Sequence, residues 1–196
     1  MIWKSSWFVF LFFPVFVYAS EPTVVSLAVP PGLSQQLCTS GPLWKEVTVV
    51  WMGVKDNRPS PAIGEQQQRN KDPVTIVAAT PLERTFDSAL RDLFTTCGMT
   101  FVPHGDETIL RLEVEIRQFD VTGEKKLVSG KGTARSELVF EARREETSAT
   151  TIVVTAELYA KGIRNRGVKQ VGKLANQLLE EILREVAATH ELQNLK

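Results

Sequence analysis

Histidine and cysteine are scarce in this chain, with two of each in 196 residues. His104 and His190 stand alone, and no Cys or His pair has the spacing of a metal-ligand set, so neither a metal nor another cofactor is expected. A phosphate-cradling P-loop, a glycine fingerprint after a strand, a nucleophile elbow and a zinc-protease helix motif are all missing. These absences exclude the enzyme classes that carry such signatures, and the expectation is a protein without enzymatic activity. His104, between Pro103 and Gly105, reads as an exposed turn residue. Glu180-Glu181, with Arg184 close by, reads as surface charge rather than an acid/base pair. Neither sign of charge is in excess: 23 Lys and Arg face 23 Asp and Glu. Balance of this kind argues against a nucleic-acid partner, which normally demands a basic surplus. Internal repeats are absent, and low complexity is limited to Gln66-Gln67-Gln68.

What the chain does contain begins with one long apolar run. Lys4 precedes residues 7–17, which are almost wholly apolar, and Val17-Tyr18-Ala19 offers small or modest residues at a cleavage site. Five of the ten Phe fall here. The run is short for a bilayer span and Pro14 interrupts it. Residues 1–19 therefore read as a cleaved signal peptide, and no transmembrane span is expected after cleavage. Only Lys4 is lost with that segment, so the remainder stays near neutral.

Export changes the meaning of Cys38 and Cys97. An oxidising compartment permits a bridge between them; the alternative is two separate buried thiols. A catalytic thiol is disfavoured, because Cys97 falls at a predicted helix C-terminus, where the dipole opposes a thiolate. Residues 20–42, rich in Pro, Ser and Gly, read as a mostly irregular leader. A short edge strand fits within residues 23–29 before Pro30-Pro31 stops it.

The domain itself is expected over residues 43–192. Val47, Val49 and Trp51 alternate with Val50, Met52 and Val54, so both faces of a first strand are apolar, as in a strand covered above and below. The run ends at Asp56-Asn57-Arg58-Pro59, where turn chemistry takes over. Residues 57–73 lack apolar periodicity and read as a long surface loop. A short extended piece follows over residues 74–78. Thr80-Pro81-Leu82-Glu83 fits a capping box with Thr80 as the cap. Leu82, Phe86, Ala89, Leu90, Leu93, Phe94 and Cys97 then mark one face of a helix that Gly98 ends.

Three strands of regular alternation come next. Leu110, Leu112, Val114 and Ile116 alternate with Arg111, Glu113, Glu115 and Arg117. Ala134, Leu138, Phe140 and Ala142 alternate with Arg135, Glu137, Glu141 and Arg143. Ile152, Val154, Ala156, Leu158 and Ala160 face away from Val153, Thr155, Glu157, Tyr159 and Lys161. Such patterns belong to an antiparallel meander with one wet face. That wet face is either plain solvated surface or a polar docking surface for another protein. A last helix over residues 168–189 has Val171, Leu174, Ala175, Leu178, Ile182 and Val186 as its stripe. Gly172 within it implies close packing. Its approach is basic, through Lys161, Arg164, Arg166, Lys169 and Lys173. The fold class expected is α+β: a mixed sheet of about four strands, in the order β-α-β-β-β-α, with two helices on one face.

Residues 47–59, Ile63-Gly64, the Thr80-Pro81-Leu82-Glu83 helix start, Gly98 with the strand after it, and the closing helix together resemble the YajG family of bacterial envelope lipoproteins. The resemblance implies an exported envelope protein without an assigned activity. The chain departs from that family at the lipobox, having Ala19-Ser20 where a cysteine is expected. A soluble periplasmic protein, or one held peripherally at the envelope by a partner, is therefore expected rather than a lipid-anchored one.

The function expected from these features is a non-enzymatic binding or adaptor module with an envelope protein as partner. The competing expectation is a small-ligand or anion-binding protein, with enzyme chemistry left open, that uses the 57–73 loop and the basic approach to the last helix. Candidate binding residues are Asp56, Asn57 and Arg58 in the first place and Arg164, Arg166 and Lys169 in the second.

Overall fold

The computed structural model describes residues 21–39, 43–45, 47–68, 71–104, 109–124, 130–144, 148–163 and 168–195. The expected signal peptide over residues 1–19, with Arg164 and Arg166, lies outside the described residues.

The three strands read from alternation are the spine of the molecule. β6 (Leu110–Glu124), β7 (Gly130–Arg144) and β8 (Ser148–Ile163) pair antiparallel over nearly their whole lengths. Leu112, Val114 and Ile116 of β6, with Leu138 and Phe140 of β7, are fully buried on the inner face. A bulge at Arg117, between the pairs Ile116–Leu138 and Gln118–Glu137, then switches the parity of β6. Beyond it Phe119 and Val121 take over the buried positions. A bulge adds one residue to one strand, so every later side chain changes face.

Two helices cover that inner face. α2 (Leu82–Thr96) packs on β2 (Thr48–Asp56) and β5 (Thr100–Val102). α3 (Val168–Ala188) lies across β6, β7 and β8. The apolar stripes foreseen for both helices are buried as expected. The capping box is not formed: Pro81 is the N-cap residue, its carbonyl accepts from the amides of Arg84 and Thr85, and no side chain caps the first turn.

The expectation of about four strands and two helices is corrected. The sheet has eight strands and the described residues form four helices, while the class remains α+β. The largest error lies in residues 57–73. Instead of a long loop they supply β3 (Ala62–Gln68) and the start of β4 (Lys71–Ala78), an antiparallel hairpin. Main-chain pairing builds this hairpin with few apolar side chains, although Ile63 and Ile76 are fully buried. β1 (Thr23–Val25) adds to β4 in parallel, so the leader supplies the edge strand expected within residues 23–29. The leader also supplies α1 (Leu33–Leu37), where Leu33 is buried and Ser34 donates to Asp92 of α2 at 2.5 Å. α4 (His190–Gln193) closes the chain.

β2 runs parallel to both β5 and β6, as a strand–helix–strand crossover allows. Its apparent two-sidedness has a physical explanation. A register shift between Trp51 and Gly53 places Met52 as an extra residue, after which Val54 pairs with inward-facing Val114. Val49, Trp51 and Val54 thus share the inner side, while Met52 is left 55% exposed on the outer side. No second covering layer is required.

Candidate functional site

The end of β2 is a joint between two parts of the sheet. β2 pairs with β6 as far as Ile116, and β3 takes over the same edge of β6 from Val121. Between those points the β6 main chain needs another partner. The Asn57 amide donates to the Ile116 carbonyl at 3.1 Å. Arg58 then turns inward, its side chain only 5% exposed. Its Nε and Nη2 donate to the two carboxylate oxygens of Asp56, both at 2.8 Å, and Nη1 donates to the Ala62 carbonyl at 2.7 Å. Nη1 also approaches the Phe119 carbonyl at 3.4 Å. Bidentate pairing of this kind fixes a guanidinium in plane and orientation. Asp56 and Arg58 therefore lock the corner, and a recognition role for the Arg58 head group would require its withdrawal from four oxygens. Immediately after the corner, Gly64 sits so close to β6 that a Cβ there would lie 1.9 Å from the Val121 carbonyl oxygen. Only glycine permits that approach.

Lys169 is in a different place. It lines a cavity of about 540 Å³ between β1 and the start of α3, together with Val24, Ser26, Lys173 and Asn176. Asn176 ties the leader to α3: its Oδ1 accepts from the Ala28 amide at 2.7 Å and its Nδ2 donates to the Ser26 carbonyl at 3.2 Å. Gly172 makes the close approach its position implies, since a Cβ would meet Val25 Cγ1 at 2.5 Å. The cavity beside Arg58, about 310 Å³, shares no lining residue with this one. The described candidates, Asp56, Asn57 and Arg58 on one side and Lys169 on the other, are thus not assembled into a single site.

Cys38 and Cys97 are bridged, with Cα atoms 5.3 Å apart, which joins the end of α1 to the end of α2. Both cysteines of the sequence are committed to that bond. Nearby, Trp44 is fully buried edge-on to Phe94, and its Nε1 donates to the Leu192 carbonyl at 2.7 Å. Trp51 Nε1 donates to Asp87 Oδ1 at 2.7 Å, while Arg91 donates to Asp87 Oδ2 at 3.0 Å and lies over the Trp51 ring. These polar tips are satisfied within the fold, which leaves them to positioning the helices rather than to chemistry.

The outer face of the long meander has a different character. Lys55 pairs with Glu113 across β2 and β6, Arg135 with Glu157 at 2.5 Å across β7 and β8, and Glu141 with Arg143 along β7. Arg117 lies 3.5 Å from Glu115. A hydrogen bond from Tyr159, reinforced by Arg135, lowers the Glu157 carboxyl below its ordinary range, and the Glu113 hydrogen bond raises Lys55. Among these charges Val153 and Tyr159 stand 52% and 66% exposed, with Met52 beyond them. No described helix covers this side. Sequence alternation identified the face but could not give its pairing, because the Lys55–Glu113 match depends on the register shift at Met52 and the Arg135–Glu157 match on the β7–β8 register. Among the described residues, no group of three or more His, Cys, Asp or Glu is placed to hold a metal ion.

Comparison with known proteins places these features in a family. The family described as uncharacterized lipoprotein matches residues 45–195. The chain belongs to this lipoprotein family. That agrees with the YajG-type resemblance carried by the β2 corner, Gly64 and the two helices. No curated protein sequence matches this lipoprotein-family chain. Among solved structures, a protein of Xanthomonas campestris is similar at 13% identity and a TM-score of 0.55, covering 84% of this chain and 92% of its own. It shows a shared fold. A homologue of a neuraminyllactose-binding haemagglutinin from Helicobacter pylori is 12% identical at a TM-score of 0.40, covering 76% and 86%. A minor lipoprotein from Acinetobacter baumannii is 10% identical at 0.36, covering 71% and 87%. Within the described residues of this lipoprotein-family chain, no helix is long and apolar enough to cross a membrane.

Proposed function

We propose that this protein is a non-enzymatic binding module of the cell envelope that docks another protein on the outer face of the β6–β7–β8 meander. The carrying observation is that face itself: an extended sheet surface, uncovered by any described element, where neutralised ion pairs surround exposed Met52, Val153 and Tyr159. Paired charges lower the cost of desolvating a polar surface, and isolated apolar side chains among them supply anchors. Membership of a lipoprotein family and the apolar N-terminal segment support the envelope as its location. The Asp56–Arg58 corner serves this reading by holding β2 and β3 against one edge of β6, which keeps the meander rigid. Affinity capture from chemically crosslinked envelopes tests it. The reading expects a specific protein partner that is lost when Met52 and Tyr159 are replaced by Asp. Recovery of no specific partner counts against it.

A second reading, small-anion binding at the β1–α3 cavity, is favoured by Lys169 and Lys173 on its wall. Thermal-shift measurement separates the two, since a ligand at a hundredfold its dissociation constant adds about 2.7 kcal/mol. No shift with nucleotides, sugar phosphates or peptidoglycan fragments removes the second reading.

A further inference from the structure

We propose that the free edge of β8 is a self-complementary seam through which two copies of this chain join into one continuous sheet. β8 is 16 residues long, and among the described residues only β7 pairs with it. Residues 152–160 contain no proline, and Glu157 is their single charge. Edges of this length are normally blunted by proline, by lysine or by a bulge, because their unpaired amides and carbonyls template another strand. The β7–β8 register continues without a bulge from Lys131–Lys161 to Arg144–Ser148, so the opposite edge of β8 runs equally regular.

The sequence of the edge selects its own partner. Antiparallel pairing of β8 with a second β8 about a two-fold axis sets residues opposite one another in pairs of fixed sum, and residues opposite one another share a face. With the axis at Ala156, Val153 of one protomer meets Tyr159 of the other, and this occurs twice. These are the two exposed large apolar side chains of β8, at 52% and 66% exposure. Aromatic with β-branched pairs are among the favourable cross-strand combinations. The same register sets Thr155 against Glu157 on the outer face. On the inner face it sets Val154 against Leu158 and Ile152 against Ala160. Moving the axis to Thr155 puts Val153 against Glu157, and moving it to Glu157 opposes two carboxylates. Axes at Val153 or Tyr159 also oppose apolar side chains, but each gives an apolar partner to only one of the two exposed side chains; the Ala156 register is the one that gives it to both. Val153 and Tyr159 also belong to the proposed docking face. The two readings are separated by Met52→Asp, which lies away from β8 and should leave the dimer intact, and by a cysteine crosslink between positions 153 and 159, which reads the edge register alone.

The test is the mass in solution of the purified chain, by sedimentation or light scattering, for the wild type and for Val153→Asp and Tyr159→Asp. The wild type is expected as a dimer. Each substitution enters the seam twice by symmetry, and is expected to raise the dissociation constant at least about tenfold while the far-ultraviolet circular dichroism of the folded chain is retained. A monomeric wild type, or a dimer indifferent to both substitutions, overturns the proposal. Oxidation of co-expressed Val153→Cys and Tyr159→Cys chains gives an answer that does not depend on the Asp variants folding. A disulfide between the two different chains supports the Ala156 register, and its absence with retained thiols contradicts it.

Discussion

Replacing Arg58 by Ala removes a side chain that is 5% exposed and tied to four oxygens. Asp56, whose side chain is 22% exposed, would then keep its charge with only the long 3.3 Å hydrogen bond from the residue-58 amide. The Ala62 carbonyl would lose its 2.7 Å donor and the Phe119 carbonyl a longer one. Breaking a buried pair by deleting one member costs about 3–5 kcal/mol. The partial exposure of Asp56 lets water take up some of that charge, so the low end, about 3 kcal/mol, is expected. For a chain of this size that lowers the melting temperature by about 6–12 °C. Urea unfolding followed by tryptophan fluorescence and by circular dichroism would measure it. Arg58→Lys should recover little, because an ammonium cannot reproduce the planar fork. The double replacement of Asp56 and Arg58 by Ala should cost less than the sum of the single ones, since no orphaned charge remains. A loss below about 0.5 kcal/mol for Arg58→Ala, the range of ordinary surface changes, would refute the structural role and restore a recognition role.

Three other outcomes follow from the same geometry. Gly64→Ala forces a Cβ to within 1.9 Å of a main-chain oxygen that cannot move alone; it should break the β3–β6 pairing, seen as lost amide protection in residues 62–68 and 121–124. Replacing both Cys38 and Cys97 by Ser reopens a loop of sequence separation 59 and should cost about 4 kcal/mol in the chain-entropy model, read by denaturant titration. Glu157 has its pKa lowered by Tyr159 and Arg135. Its contribution is therefore present above the unfolded glutamate value of about 4.3 and lost as pH falls through the lower folded value. The stability difference between wild type and Glu157→Gln should accordingly shrink in acid, and a difference that grows there would contradict the pairing.

Legibility divided along a physical line. Where a side chain's burial fixed the residue type, as in the stripes of α2 and α3 or the alternation of Leu110, Leu112, Val114 and Ile116, the sequence was readable. Where main-chain hydrogen bonds alone built the element it was not: β3 and the start of β4 are rich in Gln, Lys and Asp yet form a hairpin. Bulges were the second blind spot. Val54 and Phe119 both sit on the inner side only because an extra residue precedes them, at Met52 and Arg117. The turn at the β2 corner was legible from its residue types, whereas the Ala62 and Phe119 carbonyls that complete the Arg58 site were not. The outer-face pairs could be listed by type but not matched, since matching requires the register. The capping box misled because Pro81, with its fixed φ, took the cap position itself.

The docking claim is tested most directly by placing a photo-crosslinking residue at Met52, on the outer face and away from β8, and at Glu185, exposed on α3. Irradiation of intact envelopes should give a discrete protein adduct from position 52 and none from position 185, and Glu141→Lys should abolish it. No adduct at position 52, or equal adducts from both positions, would contradict a partner on the outer face.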